Sequence, residues 1–539
     1  MRRSCKPLLL LLLVIVLALF AACSGGNTNL PNTDHTTPVA QQVLRFPNVG
    51  TTDIERLDPA SGPDSNSNLA ISMIYSGLVR SDHDLNVLPD QATWEISSDH
   101  KTYTFHLKAG LMFSDGTPLT AQSYVYTWTR ALLPEVKSPL APVLEEAIVG
   151  AQAVLSGKTR TLAGVRALDK QTLQVSLVRP TAYFLQVLTV SLFFPLNQNV
   201  IERYGQDNWS QHAAGNGIGS GPFLVQSWHP LVSMTLVPNP HYYGKKTRLH
   251  AVEMLFVKDP STAFQSYRAG QYDFVWDLPP QDQQEAKTLP GFIRTPILQS
   301  DLLFFDNTTA PFNQVQVRQA FAAAIDKKTL ASAILKDTVT PASTIIPPGE
   351  PGSQPDYLGI PFDRSAAKHF LQAVYPDVTK MPPVTFTYPA SQVTADEAAA
   401  LQQMWQEALS VQVQLHAMDL STYNDATTKR TVQLGFTQWS VYFPDPYEWL
   451  DLSLLSTAAN NNGSWKNAQF DRTVAQAEQS QGDARLALYA QAERIAIENV
   501  GWLPLDHQSL AALIPPRVHG LTLNGEGLYF GDWSDISLS

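Results

Sequence analysis

The sequence has almost no cysteine. Its 539 residues include two, Cys5 and Cys23, both near the N-terminus. The chain after Cys23 therefore has no thiol for a disulfide bond, a cysteine-type zinc site or a catalytic nucleophile. We expect packing alone to stabilise the folded part.

The sequence also lacks a basic cluster and an internal repeat. The formal net charge is −11, and it becomes −14 once the three basic residues that precede the first apolar run are removed. An acidic surface without a basic patch is a poor partner for nucleic acid or for acidic lipid headgroups. We therefore predict no nucleic-acid partner.

No residue pattern indicates catalysis or a resident metal. The closest histidine pair, His100 and His106, does not have the spacing of a zinc helix. The glycine-rich loop 215–222 leads into a strand pattern rather than a helix, so a tight turn is favoured over a phosphate cradle. Ser220 lacks the spacing of a nucleophile elbow. We predict no catalytic residue, no metal and no cofactor.

The N-terminus has the pattern of a lipoprotein signal. Basic residues precede the apolar run Leu8–Phe20, which is too short for a comfortable membrane span. The run ends in Phe-Ala-Ala-Cys, which looks like a bacterial lipobox. We predict a signal peptide over residues 1–22, lipidation of Cys23 and export to the outer face of the cell membrane, with an ordinary signal peptide or uncleaved anchor as the alternative.

The rest of the chain is predicted to be globular. Residues 23–42 are polar, without apolar periodicity, and are predicted to form a flexible tether. Beyond them, short strand patterns alternate with amphipathic helices, which indicates an α/β protein of two or three lobes. The clearest elements are a hairpin over 91–107, a helix capped by Thr120, a helix capped by Asn313, and helices over 394–410 and 483–499.

Aromatic residues and prolines are concentrated in one segment. Trp439–Trp449 holds five aromatic residues and two prolines. Prolines impose an irregular backbone, and irregular aromatic segments often line binding clefts. Composition alone leaves open whether this segment packs in a core or lines a pocket.

The chain resembles the family 5 type of large extracellular solute-binding proteins, the group of oligopeptide- and dipeptide-binding receptors. The resemblance follows the mature chain in order and covers nearly all of it. It rests on the segments Leu57-Asp58-Pro59, Tyr75-Ser76-Gly77-Leu78, Tyr103 to Lys108, Phe113 to Ala121, Gly219 to Phe223, Asn239 to Tyr243, and Ala310 to Asn313 with Val317 to Ala320.

This resemblance implies a two-lobed periplasmic-binding-protein-like α/β fold (type II, the large class with an extra domain). The expected boundaries are 43–82, 205–300 and 501–539 for lobe I, 83–204 for the extra domain, and 301–500 for lobe II. A monomeric receptor of this kind closes its lobes around a ligand and presents it to an ABC permease, whose cytoplasmic ATPases supply the energy. No enzymatic activity is expected.

The resemblance also implies a ligand site. Peptide-binding relatives lay an extended ligand along the strand that here contains Gln438, Trp439, Ser440 and Val441, a form of β-augmentation. Relatives often carry an aspartate where this chain has Tyr442, and that aspartate takes the α-amino group of the ligand. The remaining predicted site residues are Asp445, Phe305, Asn307, Gly62 and Pro63.

Several alternatives remain at this point. Tyr442 and its aromatic neighbours suit a non-peptide ligand such as an oligosaccharide, an opine or a metal chelate as well as a short peptide. An exported hydrolase is a further alternative, although the sequence nominates no catalytic group. A receptor that senses rather than imports would share the same fold.

Overall fold

The computed structural model describes residues 42–62 and 64–539. The predicted signal peptide, the predicted lipidation site Cys23 and the predicted tether up to residue 41 lie outside the described residues, as does Pro63. Within the described part of the chain, no helix is long and apolar enough to cross a membrane.

The described chain alternates strands and helices throughout. The strands are β1 Val43–Val49, β2 Val79–Ser81, β3 Val87–Pro89, β4 Ala92–Ile96, β5 Thr102–Leu107, β6 Val165–Ala167, β7 Thr172–Ser176, β8 Phe223–His229, β9 Ser233–Pro238, β10 Ala251–Val257, β11 Val275–Trp276, β12 Phe292–Phe305, β13 Thr340–Pro341, β14 Val384–Pro389, β15 Val413–Met418, β16 Leu434–Ser440, β17 Leu503–Leu513, β18 Val518–His519, β19 Thr522–Asn524, β20 Gly527–Tyr529 and β21 Ser537–Leu538.

The helices are α1 Ser65–Ile74, α2 Ala121–Ala131, α3 Ala141–Ala147, α4 Ala151–Leu155, α5 Phe184–Val187, α6 Gln198–Tyr204, α7 Pro260–Arg268, α8 Pro280–Ala286, α9 Val315–Ala323, α10 Lys327–Thr329, α11 Arg364–Gln372, α12 Gln392–Leu409, α13 Leu420–Thr428, α14 Pro446–Leu454, α15 Ala468–Glu478 and α16 Gly482–Glu498.

The first lobe is built on a four-stranded sheet of order β1-β10-β9-β8, in which β1 runs parallel to β10. Burial alternates along β9, and Phe46 of β1 and Met254 of β10 are fully buried. Helix α1 packs here, and Asp64 caps it by accepting the amide of Ser67 at 2.6 Å. This cap fixes the position of the N-terminus of α1, whose first residues line a cavity.

A separate antiparallel sheet of order β4-β5-β7-β6 follows, with its own core. The predicted hairpin is confirmed as β4 and β5, and Tyr103, Phe105 and Leu107 face inward as the alternation requires. The predicted helix after Thr120 is confirmed as α2, with a capping box in which the amide of Thr120 donates to Ser123.

The second lobe is built on a seven-stranded sheet that runs β11-β17-β12-β16-β14-β15, with β13 also on β17. Two separate cores flank this sheet. Strands β12 and β17 are long, with 14 and 11 residues, and they pair with each other over most of their length. They are therefore the central pair of strands in this sheet, and β17 extends into the core of the first lobe.

The pairing of β12 with β17 is interrupted twice near its middle. The register shifts between Pro296 and Ser300, and again between Asp301 and Leu302. A shift of this kind leaves residues unpaired and bends the strand. The irregular residues of β12 then face a cavity, as described below.

The prediction that Asn313 caps a helix was wrong, although the helix itself is present. Helix α9 begins at Val315, and its N-cap is Gln314, whose side chain makes no capping bond. The amide of Asn313 instead donates to the carbonyl of Thr309 at 2.9 Å. That turn delays the start of the helix by two residues. The predicted helices over 394–410 and 483–499 are confirmed as α12 and α16.

The two large sheets and the separate antiparallel sheet confirm a two-lobed α/β fold with additional structure. The sequence-based boundaries of the lobes and of the extra domain stay predictions.

Candidate functional site

A cavity of about 610 Å³ opens between the first lobe and the strands β12 and β16. Helix α1 contributes Ser65, Asn66 and Asn68, and the irregular part of β12 contributes the segment 297–299. The chain near residues 189–194, the end of β11 and the C-terminal segment 525–528 complete the wall. We call this space the cleft.

Strand β16 reaches the cleft with one edge unpaired. Its neighbour β14 pairs with it at Leu434 and Gly435 and then diverges. On the other edge, β16 stays paired with β12 as far as Ser440, and the amide of Val441 donates to Leu298 O at 3.4 Å. Among the described residues, no strand therefore pairs with this edge of β16 beyond Gly435.

The alternation of the backbone decides which groups that free edge presents. The N–H and C=O of successive residues in a strand point to opposite sides. Val441 bonds to β12, so Trp439 does too, whereas Gln438 and Ser440 point outward. Phe436 also points outward, and its carbonyl accepts the hydroxyl of Tyr423. Among the described residues, no hydrogen bond reaches the outward main-chain groups of Gln438 and Ser440.

Tyr442 stands at the end of this edge. Its side chain is 59% exposed and lines the cleft together with Ser440 and Val441. Its amide donates to Glu448 Oε2 at 3.4 Å. Burial raises the pKa of the buried Glu448 carboxyl to about 8. The pKa of Tyr442 is raised by burial and, secondly, by Glu448, so the phenol stays neutral at physiological pH.

Two carboxyl groups face the cleft without a protein partner. Asp277 follows β11 directly and has a left-handed backbone conformation with φ of 56°, and Glu526 lies in the C-terminal segment. Both side chains are accessible from the cleft, and neither carboxylate receives a hydrogen bond from the described residues. The surrounding protein raises the pKa of Asp277 and raises that of Glu526 to about 7. The residues that line the cleft include no lysine, arginine or histidine.

The structure separates the predicted site residues of β16 into two groups. Ser440, Val441 and Tyr442 line the cleft, whereas Gln438 lines a second cavity of about 510 Å³. The ring of Trp439 packs on Trp502 with centroids 5.5 Å apart. The segment is thus partly packed and partly cleft wall, which answers the question that its composition left open.

Asp445 is held by the protein itself. It is 3% exposed, accepts the amide of Tyr447 as the N-cap of α14, and forms a two-pronged ion pair with Arg485 at 2.8 and 2.5 Å. Arg485 also lies over the ring of Tyr489. These contacts occupy both carboxylate oxygens, and Asp445 is not among the residues that line the cleft.

Three other predicted residues lie away from the cleft wall. Phe305 is fully buried and packs on Phe312 with centroids 4.8 Å apart. Asn307 donates to the carbonyls of Phe305 and Gly463 at 2.8 and 3.1 Å. Gly62 has φ of 67°, and a Cβ there would come within 2.3 Å of Pro139, so this position fits glycine for structural reasons.

Sequence reasoning missed most of the cleft. Asp277, Glu526, Asn66 and Asn68 have no periodic or motif signal, because a single polar residue beside a strand or helix end resembles a surface residue. The one local signal was the pair of prolines after Asp277-Leu278, which marks an irregular segment.

Two lobes that enclose a ligand-sized cleft, with an unpaired strand edge in it, define a solute-binding receptor. The model of the family "Bacterial extracellular solute-binding proteins, family 5 Middle" matches residues 87–461. The chain belongs to family 5 of the bacterial extracellular solute-binding proteins.

Similar proteins cover the chain almost completely. The probable deoxycholate-binding periplasmic protein YgiS of Escherichia coli K12 is 35% identical over 500 residues, which are 90% of this chain and 92% of that protein. The periplasmic oligopeptide-binding protein OppA of Salmonella typhimurium LT2 is 29% identical over 489 residues, 87% of this chain and 88% of that protein. The unliganded open form of the periplasmic murein tripeptide-binding protein MppA superimposes with a TM-score of 0.80 at 28% identity, covering 92% of this chain and 97% of that one.

Proposed function

We propose that this protein is the lipid-anchored receptor of an ABC importer, and that it captures short peptides in the cleft and delivers them to the membrane permease. Cys23 would carry the lipid, the receptor would act as a monomer, and separate cytoplasmic ATPases would supply the energy. The protein itself would catalyse no reaction.

The unpaired edge of β16 carries this proposal. An extended peptide that runs from the cleft at Ser440 into the second cavity at Gln438 would meet an N–H and a C=O from each residue, at the two-residue repeat of a strand. Such pairing uses the main chain of the ligand and places few demands on its side chains. It would therefore suit a receptor for peptides of mixed sequence.

The charge of the cleft supports a ligand with a cationic end. Asp277 and Glu526 are accessible and unpartnered, and no basic side chain lines the cleft. A peptide ammonium near them would gain a charge-assisted hydrogen bond worth about 1.5–3 kcal/mol. We infer that these carboxylates take over the role that an aspartate at position 442 has in relatives, while Tyr442 contributes a ring face.

A non-peptide ligand is the second candidate, because Tyr442 replaces the usual aspartate and because the relative YgiS is named for deoxycholate. The apolar lining, with Leu69, Trp276 and Leu528, would suit a sterol-like body. The carboxylate of a bile acid would, however, lie against Asp277 and Glu526 with no basic partner, which costs free energy. An oligosaccharide, opine or metal chelate remains an alternative of the same kind.

The direct test is the identity of the bound solute. The soluble protein, purified from its native host without a refolding step, is analysed by native mass spectrometry and then unfolded to release its ligand. A mixture of short peptides supports the proposal. A single sterol, sugar or chelate species, or an empty protein that titrates with deoxycholate and not with trialanine, would overturn the peptide assignment and leave the receptor class intact.

The anchor has its own test. In cells labelled with a radioactive fatty acid, the wild-type chain should incorporate the label and stay with the membrane. Cys23→Ser should abolish incorporation, whereas Cys5→Ser, the matched substitution inside the predicted signal peptide, should not. Incorporation that survives Cys23→Ser would contradict the assignment of the lipidation site.

A further inference from the structure

The second cavity, of about 510 Å³, ends on a cluster of buried carboxyl groups. Asp301 comes from β12, Asp506 from β17 and Glu397 from α12. One carboxylate oxygen of each lies within 4.8 Å of the other two. The three residues are 5%, 1% and 3% exposed. We call them the acid cluster, and it is distinct from the cleft that contains Asp277 and Glu526.

The hydrogen bonds around the acid cluster do not satisfy it. Gln438 Nε2 donates to Asp301 Oδ1 at 3.0 Å. Gln508 Nε2 donates to Asp301 Oδ2 at 2.9 Å and to Asp506 Oδ1 at 2.8 Å. Glu397 Oε1 and Asp506 Oδ2 are buried and have no hydrogen-bond partner. A buried oxygen without a hydrogen-bond partner is uncommon, because an unmade hydrogen bond costs free energy. Such an oxygen therefore points to a ligand.

With its three carboxyl groups ionised, the acid cluster would carry an excess of about two negative charges over the cation beside it. The cation near the cluster is Lys327, whose charge attracts the carboxylate of Asp506. Its ammonium donates a hydrogen bond to Ala342 O at 2.8 Å. His507 is adjacent in sequence, but its two ring nitrogens are engaged by Ser300 at 2.8 Å and Thr344 at 3.3 Å. A divalent cation bound to the three carboxylate oxygens would balance this excess charge.

We propose that the acid cluster binds one hard divalent cation of the size of Ca²⁺. The available donors are carboxylate oxygens, and hard cations prefer oxygen ligands. Oxygens that surround Ca²⁺ at about 2.3–2.6 Å lie at most about 5 Å apart, whereas the shorter bonds of Mg²⁺ bring them within about 4.2 Å. The three oxygens lie within 4.8 Å of one another, inside the span that Ca²⁺ bridges, and Ca²⁺ tolerates an irregular ligand set better than Mg²⁺ does.

The position of this site gives the ion a structural role. Asp301 and Asp506 are direct cross-strand neighbours, next to the second register shift in the β12–β17 pair. Glu397 would bind the same ion from helix α12. The cation therefore joins both long strands to the body of the second lobe at the place where their regular pairing is disturbed, and the expected consequence is a more stable second lobe.

The competing explanation is that the carboxyl groups hold protons in place of a metal. The test begins with the full mature chain, stripped with EDTA and exchanged into metal-free buffer. Calcium chloride, magnesium chloride and manganese chloride are added separately, with binding followed by calorimetry and unfolding followed by the melting temperature. We expect about one equivalent of Ca²⁺ to bind with a Kd of roughly 10⁻⁴ M or tighter, more tightly than Mg²⁺, and to raise the melting temperature.

Two isosteric variants and one control locate the site. Glu397→Gln and Asp506→Asn should each weaken Ca²⁺ binding by at least about tenfold. Glu407→Gln is the same change on the exposed side of α12, where Glu407 pairs with Arg364, and it should bind Ca²⁺ like the wild type. The proposal is overturned if none of the three chlorides binds or changes the melting temperature at up to about 10 mM. Binding that persists in both cluster variants would overturn it equally.

Discussion

Two acidic cavities lie beside the same strand, β16, and their carboxyl groups differ in how far they are exposed. In the cleft, Asp277 and Glu526 are accessible and have no protein partner. In the acid cluster, Asp301, Glu397 and Asp506 are buried and crowded. The carboxyl groups of the cleft can be reached by a ligand that comes and goes, although partial desolvation by the protein raises the pKa of both. A buried group of three needs a resident counter-charge, because desolvation of each charge costs several kcal/mol.

The largest expected effect concerns a carboxylate that belongs to neither cavity. Asp445→Ala should lower the free energy of unfolding by about 3–5 kcal/mol, because it leaves Arg485 buried without its counter-charge. Chemical denaturation measures the change. Asp419→Ala removes the exposed N-cap of α13 and serves as the matched control, with an expected loss of about 1 kcal/mol. Equal losses of unfolding free energy in the two variants would show that Asp445 stabilises the protein only as the N-cap of α14, and that its ion pair with Arg485 contributes nothing.

The next effect concerns the free edge of β16. Ser440→Pro removes an outward N–H and places a ring where a peptide would pair, without removing a bond to β12. We expect trialanine binding to weaken by about ten- to a hundredfold in calorimetry. Ser440→Ala keeps the amide and should have a much smaller effect. If both variants bind alike, the ligand does not pair with this edge.

Restoring an aspartate at the end of that edge should add a third acid to the cleft. Tyr442→Asp is expected to tighten binding of free-amino trialanine by about tenfold, the value of a hydrogen bond to a charged group. N-acetyl-trialanine, which lacks the ammonium, should show no gain. A gain for both peptides would mean that removing the tyrosine ring, rather than adding the carboxylate, is what matters.

The smallest expected effect is a pH dependence of the cleft. Glu526 has a pKa of about 7, so it loses its proton as the pH rises through neutrality. Affinity for trialanine should rise about two- to fivefold between pH 5.5 and 7.5, below the ordinary pKa of the peptide amine. Glu526→Gln should flatten this rise. An unchanged slope in the variant would remove Glu526 from ligand recognition.

The sequence predicted the fold better than it predicted the cleft, and particular residues show why. Tyr103, Phe105 and Leu107 alternate in the sequence and in the structure, since local periodicity reports which face is buried. Thr120 begins a helix as predicted, because a capping box acts within a few residues. Asn313 is not the cap because the chain still forms a turn at that residue, where its amide donates to Thr309 O, and the helix begins only after Gln314.

The site required contacts that join distant parts of the chain. Asp301 and Asp506 are separated by more than two hundred residues and become neighbours only through the pairing of β12 with β17. Asp277 and Glu526 meet the same cleft from equally distant segments. The resemblance to a family nominated Ser440, Val441 and Tyr442, which line the cleft, whereas Phe305 lies in a core because both faces of β12 are covered there.

Hydrogen–deuterium exchange at the edge of β16 tests the central claim most directly. The amides of Gln438 and Ser440 should exchange rapidly in the free protein, because no hydrogen bond of the described residues protects them. Saturation with trialanine, or with the peptide mixture that copurifies, should slow both amides while leaving Trp439 and Val441, which face β12, almost unchanged. Slowing confined to these alternate residues is the result we predict. Full ligand occupancy without protection of either amide would contradict recognition along this edge.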